Sequence, residues 1–199
     1  PEVEWFFGPS AVANHWEYQP GTAPAFRVLW DQVNDQRFLA YALKTASDDN
    51  SVYLKKPMSS SELGQSIRSA EAFLNRMEAY ALSGEEGLAL AELNAFRKTR
   101  VIGYTDVNLS GQALLDAIRL ERRKELCFEG HRWFDLRRQG MPEIKHTYKA
   151  EKGGAVYEYV LQQGDPMYTL PFPNSVVLQN RALVQNPSRE MGARQGEIQ

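Results

Sequence analysis

"LERRKELCFEGHRWFDLRR", residues 120–138, is the stretch on which the reading of the fold turns. Just upstream, Leu114, Leu115 and Ile118 combine with Leu126 to give one apolar side, which predicts a helix over 112–129. On that helix Glu121, Glu125 and Glu129 fall at i, i+4 and i+8, and Arg119 and Arg123 form a second like-charged pair. Each like-charged pair at this spacing destabilises an isolated helix by about 0.2–0.5 kcal/mol. The helix is therefore expected to draw oppositely charged partners from elsewhere. The nearest in sequence are Arg132, Arg137 and Arg138, which follow a turn at Gly130.

Three chemistries compete with such a brace, and each fits poorly. A nucleic-acid surface needs one dominant sign, whereas residues 116–138 carry seven positive and five negative groups. A glycosidase needs two carboxyls across an open cleft, one of them with a raised pKa, and surrounding cations push the other way. A metal site could start from His131 and Asp135, but no third suitable ligand stands close in sequence. The stretch reads as scaffold.

Working outward, residues 62–139 form a helical centre. Ile67, Ala70, Leu74, Met77 and Ala81 mark one helix face, with Ser59 to Ser61 available as an N-cap. "SGEEG" after Leu82 supplies a turn, and a second helix follows with Leu88, Ala91 and Ala95 on one face and Leu90 and Leu93 nearby. Two helices so joined make an αα-hairpin. Tyr80, Gly84, Ala89 and Leu93 sit where a tetratricopeptide repeat places an aromatic, a turn glycine, a small residue and a large apolar one. One hairpin cannot bury both its faces, and such arrays need roughly three or more repeats, so a longer parent is expected. The start at Pro1, without Met, points the same way.

Residues 1–61 are richer in aromatics, Pro, Asn and Asp, and residues 140–199 are irregular. "VEWFF", "SVYLKKP", "VYEYVL" and "YTLPFP" are predicted short strands; "FRVLWDQVN" is predicted helical up to Asn34; the C-terminal end reads as an extended tail. The fold class is mainly α, built of tetratricopeptide-like helical hairpins with long irregular loops and a few short strands. A net charge of −2 gives no global attraction for nucleic acid or anionic membrane. With one cysteine, Cys127, an internal disulfide framework is excluded; in "LCFE" it reads as a small buried hydrophobe. No cofactor or metal is expected.

The segment from Leu114 to Gly140 closely resembles the signature of the SusD/RagB family of outer-membrane glycan-binding lipoproteins. The matching positions are Ile118, Glu121, Arg122, Arg123, Glu125, Leu126, Glu129, Gly130, Arg132, Trp133, Phe134, Asp135, Leu136, Arg137 and Arg138. "NDQRF" resembles the family's Asn-Asp-Pro-Arg-Phe element, with Gln36 in place of Pro. "VEWFF", "YLKKP", "RSAEAFLNRMEAYA" and "YTLPFPNSVVLQNRALVQNP" agree in order with further family elements. The resemblance spans nearly the whole chain but only the C-terminal part of a typical member. It implies a non-catalytic protein on the outer face of the outer membrane. Such a protein binds an oligosaccharide or related nutrient and caps a TonB-dependent transporter of the SusC type. Membrane attachment is implied only through an N-terminal lipid anchor outside this sequence. The reading from another class is a tetratricopeptide-like scaffold for a protein or peptide.

Sugar rings call for exposed aromatic platforms flanked by hydrogen-bonding side chains. "NHWEYQPG" offers Trp16 and Tyr18 beside Asn14, His15, Glu17 and Gln19 on a loop. Trp16, Tyr18, Asn14 and Gln19 are the candidate ligand-binding residues; the alternative is that Trp16 anchors the loop to the core. Trp5 and Trp30 read as core and Trp133 as scaffold. Tyr157 and Tyr159, two apart on a strand, point to one side and read as packing before platform.

Overall fold

A computed structural model describes residues 24–44, 52–54, 69–127, 129–149, 154–190 and 196–198. The chain divides into two compact units, Glu2–Arg132 and Trp133–Gln199 together with Pro1.

In the first unit, helix α1 covers only Pro24–Arg27 and helix α2 covers Gln36–Tyr41. The helix expected to run to Asn34 stops at Arg27, and a turn is built on Asp31. Its carboxylate accepts hydrogen bonds from the backbone N–H groups of Val33 and Asn34 at 3.0 and 2.9 Å. That local bond offers the backbone a turn in place of the helical ladder. Strands β1 (Ala42–Lys44) and β2 (Val52–Leu54) pair antiparallel, Ala42 opposite Leu54. "VEWFF", Ile67 and Ser59 to Ser61 lie outside the described residues.

Helices α3 (Ser69–Leu82) and α4 (Glu86–Lys98) form the αα-hairpin. At the turn between them Gly84 adopts φ +86°, a conformation open to glycine without steric cost. Helix α5 (Gly111–Glu125) packs on this hairpin and ends at Glu125, earlier than the sequence suggests. Leu126 then turns into the core, and Cys127, half-buried, packs against Phe26, Trp30 and Phe38. The hairpin core gathers Leu74, Met77, Ala89, Leu93, Leu114 and Ile118, all fully buried. On α4 the buried face is Ala89, Leu93 and Phe96; the alternative face of Leu88, Ala91 and Ala95 is exposed. Both faces are apolar in sequence, and the helix turns inward the one carrying the larger Leu93 and Phe96. Between α4 and α5 the side chain of Asn94 clamps the connection. It donates to the Val107 carbonyl at 3.0 Å and accepts from Val107 N–H at 3.0 Å and the Tyr104 hydroxyl at 2.8 Å.

Helix α6 (His131–Arg138) spans the point at which the second unit begins. In that unit strand β3 (Ile144–Lys149), absent from the sequence reading, pairs antiparallel with β4 (Val156–Leu161). Strand β5 (Glu197–Ile198) of the expected extended tail adds to the free side of β4. "YTLPFP" does not form a strand. A 3₁₀ turn, Pro166–Tyr168, is capped by Asp165 accepting from Met167 N–H at 2.8 Å, and irregular backbone follows. Pro171 and Pro173 lack the N–H a ladder requires. Side-chain amides replace the missing strand. Gln185 accepts from Phe172 N–H at 2.7 Å and donates to its carbonyl at 3.0 Å, while Asn186 donates to the Leu170 carbonyl at 2.8 Å. Helix α7 (Asn174–Gln179) occupies the excursion between these anchor points.

Burial separates the two faces of α4 quantitatively. Leu93→Ala leaves a cavity in a fully buried site and should cost about 2–5 kcal/mol, whereas Leu88→Ala on the 51%-exposed face should stay within about 1 kcal/mol. Urea unfolding of the two variants checks the assignment, and equal losses would reverse it.

Candidate functional site

Glu121 and Glu125 stand one turn apart on α5, both 2% exposed. Burying two carboxylates costs several kcal/mol each unless charge and hydrogen bonds compensate. The compensation comes from upstream, where the sequence reading looked downstream. Arg37, on the first turn of α2, is 5% exposed and reaches three carboxylates at once. Its guanidinium donates to both oxygens of Asp35 at 3.0 and 2.8 Å, to Glu125 at 3.0 Å, and to Glu121. Arg97, at the end of α4, donates to the second Glu121 oxygen at 2.8 Å. Arg100 donates to both Glu125 oxygens at 3.0 and 3.2 Å.

Backbone geometry aims Arg37. Asp35 accepts from the N–H of Arg37 at 3.0 Å as well as from its side chain, fixing the start of α2. The same segment is tied to the end of α4, because Gln36 N–H donates to the Arg100 carbonyl at 2.9 Å and Ile102 N–H to the Asn34 carbonyl at 3.0 Å. Where the resembling family pattern has proline, Gln36 supplies a donor that proline lacks. Of the downstream arginines, Arg138 pairs with Asp135 at 2.9 Å and Arg137 donates to the Thr169 hydroxyl at 3.0 Å.

The cluster is surrounded by aromatic faces. Arg37 and Lys124 stand 5.4 and 5.6 Å from the Trp30 ring centre, and Arg123 stands 5.1 Å from that of Phe26. Phe26 and Trp30 meet edge to face at 5.8 Å. Trp30 is 4% exposed, as expected of a core residue, and offers no platform to a sugar. Trp133 lies in a stack on buried Tyr168 at 4.9 Å, in keeping with a scaffold role. Tyr157 and Tyr159 share one face of β4. A Cβ at Gly196 would lie 2.7 Å from the Tyr159 ring, so these tyrosines hold the C-terminal segment against the sheet.

Protonation follows this geometry. Burial works against the charge of Arg37, but bonding to Asp35 and Glu121 outweighs it and holds its pKa well above the ordinary guanidinium value. Burial likewise pushes the Glu125 carboxyl up. Hydrogen bonds and charge from Arg100 and Arg37 overcome this and bring the pKa down to about 2 from an ordinary 4.5. Lys124 is pushed down, chiefly by its burial. A carboxylate so held cannot serve as a general acid near neutral pH. Among the described residues no group of three or more His, Cys, Asp or Glu is placed to hold a metal ion. His131 Nδ1 stands 3.7 Å from the Glu71 carboxylate. The cluster binds the chain to itself. Trp16, Tyr18, Asn14 and Gln19, and Trp5, lie outside the described residues.

Two outcomes test the brace. Between pH about 4.5 and 2 the unfolded chain takes up a proton at residue 125 that the folded chain refuses, so stability falls as pH drops through that window. This group contributes on the order of 3 kcal/mol to that fall, and Glu125→Gln should flatten the curve by a comparable amount in pH-dependent urea unfolding. Arg37→Lys keeps one charge but loses the fork that spans three carboxylates, and should cost about 3–5 kcal/mol at pH 7. A lysine variant as stable as the parent would show that charge alone suffices.

Among curated proteins none matches this chain. Solved structures do. A SusD homolog from Bacteroides thetaiotaomicron is 21% identical with a TM-score of 0.55 over 83% of this chain and 38% of its own. A SusD superfamily protein from Bacteroides fragilis is 26% identical with a TM-score of 0.53, covering 79% and 35%. A SusD-like carbohydrate binding protein from Bacteroides vulgatus is 22% identical with a TM-score of 0.52, covering 82% and 41%. The chain thus spans about two fifths or less of the length of these structures. The family model described as the SusD family matches residues 32–188.

Proposed function

Since the chain belongs to the SusD family, we propose that it takes part in capturing a glycan, or a similar nutrient, at the outer face of an outer membrane. In this reading the ligand is handed to a TonB-dependent transporter of the SusC type, and no covalent bond is made or broken. Anchoring of the protein by an N-terminal lipid belongs to the same reading. The observation that carries it is the family match, which includes both halves of the ionic brace, Asp35 and Arg37 with Glu121 and Glu125. The binding role printed for the Bacteroides vulgatus relative agrees with it. So does the character of the cluster, whose carboxylates are occupied by guanidinium groups. Among the described residues no helix is long and apolar enough to cross a membrane.

We assign recognition to the segment that carries Asn14, Trp16, Tyr18 and Gln19. Indole and phenol rings stack on the C–H faces of a pyranose, and the two amides hydrogen-bond to ring hydroxyls. Affinity of a single site of this kind is modest, which suits a protein that must release its ligand.

Native electrophoresis through gels containing a panel of polysaccharides tests both statements. Selective retardation on at least one glycan is expected, weakened about tenfold by Trp16→Ala, equivalent to about 1.4 kcal/mol. Retardation that survives the substitution keeps the function and moves the site. Retardation on no glycan removes the sugar reading and favours a peptide-binding scaffold.

A further inference from the structure

The second unit carries a segment that turns its apolar residues outward. Residues 173–184 run from the anchor at Phe172 to the amides of Gln185 and Asn186, which close its base. None of the twelve is buried. Val176, Leu178 and Val184 are 41%, 78% and 85% exposed. Successive residues of a helix stand about 100° apart, so Val176 and Leu178 lie on the two flanks of α7, on either side of half-buried Val177. The helix therefore rests on its Val177 side and offers an aliphatic side chain to solvent on each flank.

Charge in this region is of one sign. Between Asp165 and Glu190 the sequence has no acidic residue, whereas Arg181 and Arg189 are both exposed. Among the described residues no carboxylate pairs with either arginine. At the foot of the excursion the exposed Arg137 donates to the neutral Thr169 hydroxyl at 3.0 Å. Ser188 ties the returning chain to the Thr169 carbonyl at 2.6 Å, beside Arg189. The arginines of the first unit's brace, by contrast, are consumed by Asp35, Glu121 and Glu125.

The chemistry of the excursion selects its partner. A sugar would need an aromatic ring to stack on, and residues 173–184 include none. Anchors of protein interfaces are seldom Leu or Val, and a rigid surface covers one flank of a helix more readily than two. A fluid acyl boundary covers both. Aliphatic side chains beside an arginine that lacks an acidic partner suit an anionic lipid interface, where the guanidinium meets head-group phosphate while its stem stays apolar. The fixed base and the rigid prolines Pro171 and Pro173 hold the apolar residues out before contact, so little order has to be imposed on binding.

We propose that residues 173–184 form a peripheral contact with an anionic lipid surface. Val176, Leu178 and Val184 enter the boundary between head groups and acyl chains, Arg181 pairs with phosphate, and Arg137 and Arg189 behind it add to the local positive field. The contact is made by side chains of the folded chain, separately from any covalent lipid, and it does not depend on which ligand the protein takes.

Vesicle flotation of the 199-residue chain tests it. The vesicles are phosphatidylcholine alone, or phosphatidylcholine with about one third phosphatidylglycerol. Flotation with the anionic vesicles, weakened by added salt, is the expected result. Leu178→Asp should raise the lipid concentration for half-binding about tenfold, and Arg181→Gln should weaken binding to the anionic vesicles in the same direction. Both positions are exposed, and an unchanged urea midpoint shows that each variant folds. No flotation with either vesicle overturns the proposal. So does equal flotation with both, or flotation that both variants leave unchanged. Concentration-dependent self-association without lipid, abolished by Leu178→Asp, would also overturn it and identify a second copy as the partner.

Discussion

One guanidinium, that of Arg37, is the constraint on which the first unit depends. It holds Asp35, Glu121 and Glu125 together in a site closed to water, and each of these acids is otherwise too costly to bury. The partners on α5 lie 84 and 88 residues further along the chain. Arg97 and Arg100 finish the set from the end of α4, which makes the cluster the meeting point of α2, α4 and α5. The aromatic pair Phe26 and Trp30 then packs against the cations, so the apolar and ionic parts of this region cannot be separated.

Much of this was visible in the order of residues, because helical periodicity is local. Leu74, Met77, Leu93, Leu114 and Ile118 repeat at turn spacing, and all are fully buried. The like-charged stripe on α5 signalled that partners were needed, since an isolated helix does not favour it. Which arginines answer was not legible: proximity in sequence suggested Arg132, Arg137 and Arg138, and pairing across 84 residues leaves no local trace. Which face of α4 turns inward is not legible for a different reason. Leu88, Ala91 and Ala95 keep the same period as Ala89, Leu93 and Phe96, and only the volume of the inward residues, with the space beside α3 and α5, decides between them. Strand β3, "IKHTYK", carries too few apolar residues to stand out, and it is strand through pairing with β4. "YTLPFP" showed the opposite error, with apolar and β-branched residues outweighing the two prolines that rule out a ladder. Trp16 and its neighbours were singled out by composition alone, and their assignment rests on the chemistry of sugar faces.

The two units solve the same problem with different means. Around Arg37, buried charge is matched by charge. Around Phe172, backbone left open by the prolines is matched by the neutral amides of Gln185 and Asn186. Both are long-range substitutes for regular secondary structure, and both satisfy groups that would be costly to leave without partners.

The amide anchors have a consequence for how this part of the molecule can change. Because Gln185 and Asn186 close the base of the excursion that begins after Phe172, the segment between them is free of any duty to hold the ends together. Val176, Leu178 and Val184 within it are exposed, and α7 buries no residue. Lengthening an already closed loop adds little entropic cost. This excursion is therefore where the protein can accept an inserted tag, or where lineages can diverge in length, while the ends beneath it keep their place.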